Sequence, residues 1–156
     1  METNEKLIEV INDLIQINND RVTGYEKAAA ESKKLDVDLQ AIFLSMANDS
    51  RKYAAELTQE VVKCGGEPAK GNTGKGKIYQ VWMDVKATFS GYDRQTILES
   101  CEFGEDTIQR AYSAALASDA EMDAHTRHLL INQQSSLKTA HQLIKGYRDA
   151  SQAIHA

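Results

Sequence analysis

The sequence has few residues that break helices and no long apolar run. One proline and nine glycines in 156 residues leave too few chain breaks for the many short strands of a β-sandwich or β-barrel. Its 18 Lys+Arg and 23 Asp+Glu give a formal net charge of -5, without a broad basic surface for nucleic acid or an anionic membrane. The longest apolar runs, such as 41–44, are far too short to span a bilayer.

Cysteine is also scarce, and this bears on the compartment. Cys64 and Cys101 are the only two, and they show neither a Cys-x-x-Cys nor a Cys/His metal-binding spacing, which predicts reduced thiols. The chain starts with an acidic residue directly after Met1, unlike the basic start of a secretory signal. We therefore expect a cytoplasmic protein, with 42% hydrophobic residues to build the core of a single domain over residues 1–156.

Apolar residues at helical spacing predict two long helices in the first half of the chain. The first should run from about residue 4 to about residue 33. The second should begin after Asp36, an N-capping residue type, and end at Gly65 and Gly66, where glycine can adopt the left-handed conformation that ends a helix. Because only a few residues join them, these helices should form an antiparallel hairpin.

The second half of the chain repeats this layout after a long connection. A glycine-rich stretch follows Gly65, and a short amphipathic helix around Trp82 is predicted over about 77–89. Two more long helices should extend from Asp93 to about 118 and from about Glu121 to the end of the chain. The predicted fold is therefore an all-α, ferritin-like four-helix bundle with one long crossover that carries a short fifth helix.

Polar residues interrupt the apolar stripes at a similar height on all four long helices. Helix spacing places Asn18, Ser50 and Glu105 in line with their apolar neighbours, and Tyr53 joins them one turn after Ser50. The last helix contributes a glutamine, either Gln133 or Gln134. We predict a buried polar layer in which Tyr53 and Asn18 satisfy Glu105. Its predicted members are Asn18, Ser50, Tyr53, Glu105 and Gln134.

Ferritin-like di-iron proteins carry their metal ligands at this height. The segment around Asn18 resembles the first-helix motif of rubrerythrin-type proteins, with asparagine in place of the ligand glutamate. Ser50 and Tyr53 stand where the similar ferritin stretch has Glu-x-x-His, and only Glu105 keeps the ligand type. One carboxylate cannot balance about four positive charges in a dry core, so no metal or other cofactor is expected.

A weaker metal site remains an alternative. Glu102, Glu105 and His141 could together hold a single ion, and Glu102 lies three residues before Glu105 on one helix face. Glu99 and Asp106 extend this acidic cluster. An arginine, either Arg51 or Arg110, is the expected neutralising group.

Short motifs spread over nearly the whole chain carry a family resemblance. They are Gly24-Tyr25, Ala28-Ala29, Arg51, Glu56-Leu57, the Cys-Gly-Gly-Glu-Pro run at 64–68, Gly76, the Val-Trp-Met-Asp run at 81–84, the Ile-Leu-Glu run at 97–99, Glu102, the Gly-Glu-Asp run at 104–106, Tyr112, Gln134 and Ala140-His141. In these residues the chain resembles an uncharacterised bacterial family of ferritin-like four-helix bundles, classed as a domain of unknown function. The resemblance implies this fold but no assigned activity, and it connects only loosely with bacterial stress response. We therefore expect a non-enzymatic bundle with a structural, stress-related or protein-interaction role and an unidentified protein partner. A homodimer that packs the crossover helix with Trp82 against a second copy is a third alternative.

Overall fold

The computed structural model describes residues 2–32, 37–71 and 94–155, and these form four long α-helices. They are α1 (Glu2–Ser32), α2 (Val37–Lys63), α3 (Arg94–Ala117) and α4 (Ala124–His155). The predicted all-α four-helix bundle is confirmed. The predicted crossover helix with Trp82, and the capping residues Asp36 and Asp93, lie outside the described residues.

The end of α2 is fixed by two glycines, as the sequence predicts. Gly65 has a φ of 79°, in the left-handed region that other residues avoid. Its backbone N–H donates to Val62 O at 3.0 Å, and the N–H of Gly66 reaches back to Val61 O at 3.0 Å. This pair of bonds is a Schellman motif, and it satisfies carbonyl groups that the end of the helix leaves free.

The start of α4 differs from the prediction by three residues. The sequence suggested a start near Glu121, but the helix begins at Ala124. Asp123 Oδ1 accepts a hydrogen bond from Thr126 N at 2.7 Å, which makes Asp123 the N-cap. Glu121 and Asp123 are both acidic residues of the kind found at helix starts. The sequence does not distinguish them, so the predicted start was too early.

Hydrogen bonds between helices establish their relative directions. Asn18 of α1 contacts Ser50 of α2, and further along α1, Arg21 contacts the earlier residue Met46. The residue numbers thus rise on one helix as they fall on the other, so α1 and α2 are antiparallel. The same relation holds between α3 and α4, between α1 and α3, and between α2 and α4. Consequently α2 and α3 run in the same direction, and the end of α2 and the start of α3 lie at opposite ends of the bundle.

The first part of this crossover lies against α1. Gly66 packs so closely on Ile8 that an added Cβ would come within 2.7 Å of its side chain. Asn12 then donates to Glu67 O at 3.1 Å and accepts from Ala69 N at 2.8 Å. Farther along α1, Asn19 donates to Gly71 O at 2.7 Å. Residues 66–71 therefore follow α1 from its N-terminal part towards its middle.

The core between the helices is apolar above and below a polar centre. Buried apolar side chains from all four helices form it, including Ile11, Phe43, Ile108 and Leu137. Cys64 and Cys101 are both free thiols. No helix among the described residues has the length and apolar content needed to cross a membrane.

Candidate functional site

A buried ion pair occupies the centre of the bundle. Arg21 of α1 donates from Nε to Glu105 Oε1 of α3, and their side chains are 1% and 0% exposed. The guanidinium also donates from Nη1 to Met46 O at 3.0 Å and to Ser50 Oγ at 2.8 Å. It lies over the Tyr25 ring, with Cζ 5.0 Å from the ring centroid. Arg21 thereby connects three helices, and its positive charge is paired with one buried carboxylate.

A chain of hydrogen bonds extends from this pair to the fourth helix. Ser50 Oγ donates to Asn18 Oδ1 at 2.9 Å, and Asn18 Nδ2 donates to the Tyr112 hydroxyl at 2.9 Å. The Tyr112 hydroxyl in turn donates to Gln133 Oε1 at 2.6 Å. Every side chain in this chain is buried, so each hydrogen bond replaces solvation that the group lost on folding.

The network ends at the half-buried edge between α2 and α4. Gln133 Nε2 donates to Glu56 Oε1 at 3.1 Å and to Tyr53 O at 3.3 Å. Tyr53 therefore takes part through its backbone carbonyl. We call the connected residues the core network; its members are Arg21, Glu105, Ser50, Asn18, Tyr112 and Gln133.

The predicted polar layer and the core network share Asn18, Ser50 and Glu105. The structure differs from the prediction in the glutamine, because Gln133 is buried whereas Gln134 lies between α3 and α4. There Gln134 Nε2 donates to Ser113 Oγ at 2.8 Å. Sequence spacing could not separate the two neighbours, since the stripe on the last helix allows either to face inward.

Arg21 is the central residue that sequence reasoning missed. The prediction continued the stripe from Asn18 to Val22 by a step of four, and Val22 is only partly buried. A step of three reaches Arg21 and is equally consistent with helix geometry. Asn18 and Tyr53 were also expected to satisfy Glu105, which was wrong because Arg21 contacts the carboxylate directly.

The other acidic residues on α3 have their own partners. Arg110 is one of the two arginines predicted to neutralise the acidic cluster. Its Nη2 atom lies 3.0 Å from Asp106 Oδ2, so it pairs with one member of the cluster. Arg51 instead pairs with Glu26 on the outside of α1 and α2. Glu99 accepts a hydrogen bond from the neutral Gln95 side chain at 2.7 Å, so basic partners are separate for Asp106, Glu102 and Glu105 and none is shared by the whole cluster.

Glu102 connects α3 to α4 through two basic side chains. His141 Nε2 lies 3.1 Å from Glu102 Oε1, and Arg148 Nη1 lies 3.2 Å from Glu102 Oε2. The structure thus brings together two residues of the alternative metal site, while the third, Glu105, faces Arg21. Among the described residues, no group of three or more His, Cys, Asp or Glu side chains is placed to hold a metal ion.

Burial keeps the reactive groups around the ion pair protonated. Desolvation, with the nearby Glu105 carboxylate adding to it, raises the pKa of both Tyr25 and Cys101 well above the usual values. Desolvation likewise raises the pKa of Tyr112. For Arg21, burial opposes the charge, but Glu105 holds the net pKa above its ordinary value. The centre therefore contains a charged guanidinium with neutral phenols and a neutral thiol around it.

Comparison with known proteins supports this fold and names the family. A mutant of Dps1 from Mycobacterium smegmatis has a similar structure, with a TM-score of 0.78 and 13% sequence identity over 94% of this chain and 97% of that one. No curated protein matches the sequence. The family model described as Domain of unknown function (DUF2383) matches residues 6–118. This chain therefore belongs to the DUF2383 family and has a ferritin-like fold.

Proposed function

We propose that this protein is a non-enzymatic ferritin-like bundle with a structural or protein-interaction role, and that its core works without a di-iron centre. The observation that carries the proposal is the buried contact between Arg21 and Glu105. A guanidinium is permanently charged near neutral pH, so the carboxylate has a built-in counter-ion. A metal ion that bound Glu105 would have to displace or face this cation.

The donor set around the ion pair does not fit a di-iron site. Two iron ions need several carboxylates and imidazoles from the four helices. Asn18 and Ser50 supply neutral oxygens, and their hydrogen-bonding capacity is engaged within the core network. The other buried carboxylates among the described residues lie elsewhere. Asp20 is two residues from Asn18, on the far side of α1, and Glu60 contacts His125 near one end of the bundle.

The core also gives little support to other catalytic chemistry. Cys101 and the neighbouring tyrosines have raised pKa values, so the thiolate and phenolate forms are disfavoured at neutral pH. A buried network of hydrogen bonds that joins four helices instead supports their fixed alignment. The stress-related role, which rests only on the family resemblance, stays a prediction.

Metal content tests the proposal directly. The untagged protein, purified without chelator, is analysed for iron, manganese and zinc before and after incubation with ferrous iron. We expect less than about a tenth of an ion per chain and no faster iron oxidation than in buffer. The Glu105→Gln variant and the matched surface variant Glu99→Gln should then both match the wild type in metal content and in the rate of iron oxidation. About two irons per chain with accelerated oxidation, lost only in Glu105→Gln, would overturn the proposal.

The contact between His141 and Glu102 favours one second candidate, a metal-binding or redox protein with a weak single-ion site. An imidazole and a carboxylate 3.1 Å apart supply two ligands of types that bind zinc or ferrous iron. Binding would require Arg148 to release Glu102. Zinc titration of His141→Ala, with the exposed His128→Ala as control, tests this candidate. Stoichiometric binding that is lost only in His141→Ala supports it, and equal behaviour of both variants excludes it.

A further inference from the structure

The outward face of α2 exposes apolar side chains at a regular spacing. Val37, Leu44 and Val62 are 73%, 44% and 59% exposed. Alternating steps of four and three residues connect them in one row, and this spacing brings two helices together in a coiled coil. We call the row the α2 seam; its members are Val37, Ala41, Leu44, Asn48, Arg51, Ala55, Thr58 and Val62.

We propose that the α2 seam binds the same seam of a second copy of this chain, with the two α2 helices antiparallel about a two-fold axis. The seam is symmetric in position about a point between residues 49 and 50. An antiparallel two-fold pairing therefore places Val37 against Val62 of the second copy, and Leu44 against Ala55. The larger Leu44 meets a small residue, which allows the two helices to approach closely.

Charges beside the seam also match this orientation. Asp38 lies near one end of α2 and Lys63 lies at the other, and both are exposed. The antiparallel alignment brings Asp38 within about two residues of Lys63 of the second copy. A parallel alignment would instead set Asp38 beside Asp38 and Lys63 beside Lys63, where like charges repel. The charges at the two ends of α2 therefore favour the antiparallel alignment.

The middle of the seam is polar, and this fixes its register. Arg51 Nη1 donates to Asn48 Oδ1 at 2.6 Å within one chain, and Arg51 also pairs with Glu26 of α1. Next to the two-fold axis, each Asn48 would face Arg51 of the second copy. A polar pair inside an apolar seam disfavours shifted alignments, because a shift would set it against apolar residues.

An equally exposed leucine on another helix lacks such surroundings. Leu143 of α4 is 46% exposed, close to the 44% of Leu44. Its apolar neighbours at helical spacing, Ala140 and Tyr147, are partly buried against the core, so they do not continue an exposed apolar row through Leu143. Leu143 is therefore a matched control for Leu44.

Sedimentation equilibrium over a range of protein concentrations tests the dimer. We expect a monomer–dimer equilibrium for the wild type and an increase of roughly tenfold or more in the dissociation constant for Leu44→Glu. Leu143→Glu should leave the constant unchanged, and circular dichroism should show equal helix content in all three proteins. A wild type that stays monomeric at every concentration, or a Leu44→Glu variant that dimerises as well as the wild type, overturns the proposal.

Single cysteines test the antiparallel alignment, in a Cys64→Ser background. Asn48→Cys lies near the proposed axis, so mild oxidation should link two copies through this residue. Val37→Cys alone should not cross-link, because its two copies would lie almost the length of α2 apart. A mixture of Val37→Cys and Val62→Cys proteins should cross-link. Efficient linkage of Val37→Cys alone would show a parallel contact and contradict the proposal.

Discussion

Tyr112 donates its phenolic hydrogen to Gln133 Oε1 over 2.6 Å, across the interface between α3 and α4. The same oxygen accepts a hydrogen bond from Asn18 Nδ2 of α1. One hydroxyl group thus joins three helices. Its removal leaves a buried acceptor on Gln133 and a buried donor on Asn18 without this partner.

Tyr112→Phe should therefore lower the free energy of unfolding by about 1–3 kcal/mol, the usual cost of an unsatisfied buried polar group. Urea unfolding monitored by circular dichroism measures this change. Tyr147→Phe is the control, since Tyr147 is only partly buried and its ring keeps the contact with Arg94. The control should change stability by less than about 0.5 kcal/mol. Equal effects of the two variants would contradict the importance of the core network.

The ion pair in the core should show strong coupling between its two partners. Glu105→Leu or Arg21→Met leaves one buried group without its opposite charge or its hydrogen bonds, and each should cost about 3–5 kcal/mol. The double variant Arg21→Met/Glu105→Leu leaves no buried charge, so its cost should be well below the sum of the two. Urea unfolding of the four proteins gives the coupling energy.

The exposed pair of Arg51 and Glu26 is the control for this cycle. Both side chains are about half exposed, and Arg51→Met should cost less than about 1 kcal/mol. If the cost of the double variant equals the sum of the costs of the two single variants, Arg21 and Glu105 do not stabilise each other.

The N-cap of α4 should make stability depend on acid pH. The hydrogen bond from the Thr126 backbone lowers the pKa of Asp123 below the ordinary value for an aspartate. The lowered pKa means that ionised Asp123 adds stability above the unfolded-state pKa, and that this addition is lost as the pH falls through the folded-state pKa. The difference in unfolding free energy between wild type and Asp123→Asn should therefore shrink as the pH falls below about 4.

Urea unfolding at a series of acidic pH values measures this difference. Asp119→Asn, just beyond the end of α3, is the control that makes the same change of side chain away from the cap. A difference between wild type and Asp123→Asn that stays constant across the series would argue against a charged cap.

The close contact between Gly66 and Ile8 should make this glycine hard to replace. An added Cβ would lie 2.7–2.8 Å from three atoms of the Ile8 side chain. Gly66→Ala should cost about 1–3 kcal/mol, and adding Ile8→Ala should reduce the penalty of the glycine change. Gly146→Ala in α4 is the control, because no atom lies within 4 Å of its added Cβ. It should stabilise the protein by up to about 1 kcal/mol. Equal destabilisation by both glycine variants would contradict the steric explanation.

The sequence predicted the helices more accurately than the side chains between them. Periodic apolar residues and the glycines at 65 and 66 signal helix ends locally, so the bounds of α2 agree with the structure. The position of Arg21 could not be obtained in the same way. Helix spacing allows steps of three or four, and an arginine becomes a core residue only when Glu105, far away in sequence, faces it.

The core network also limits how the four helices can slide past one another. A helix that moved by one turn would shift by about 5.4 Å, which is larger than any hydrogen-bond length. Such a shift of α1 would carry Arg21 away from Glu105 and Asn18 away from Tyr112 at once. Apolar contacts alone tolerate repacking, but this layer does not. The core network therefore fixes the position of each of the four helices along the bundle axis relative to the other three.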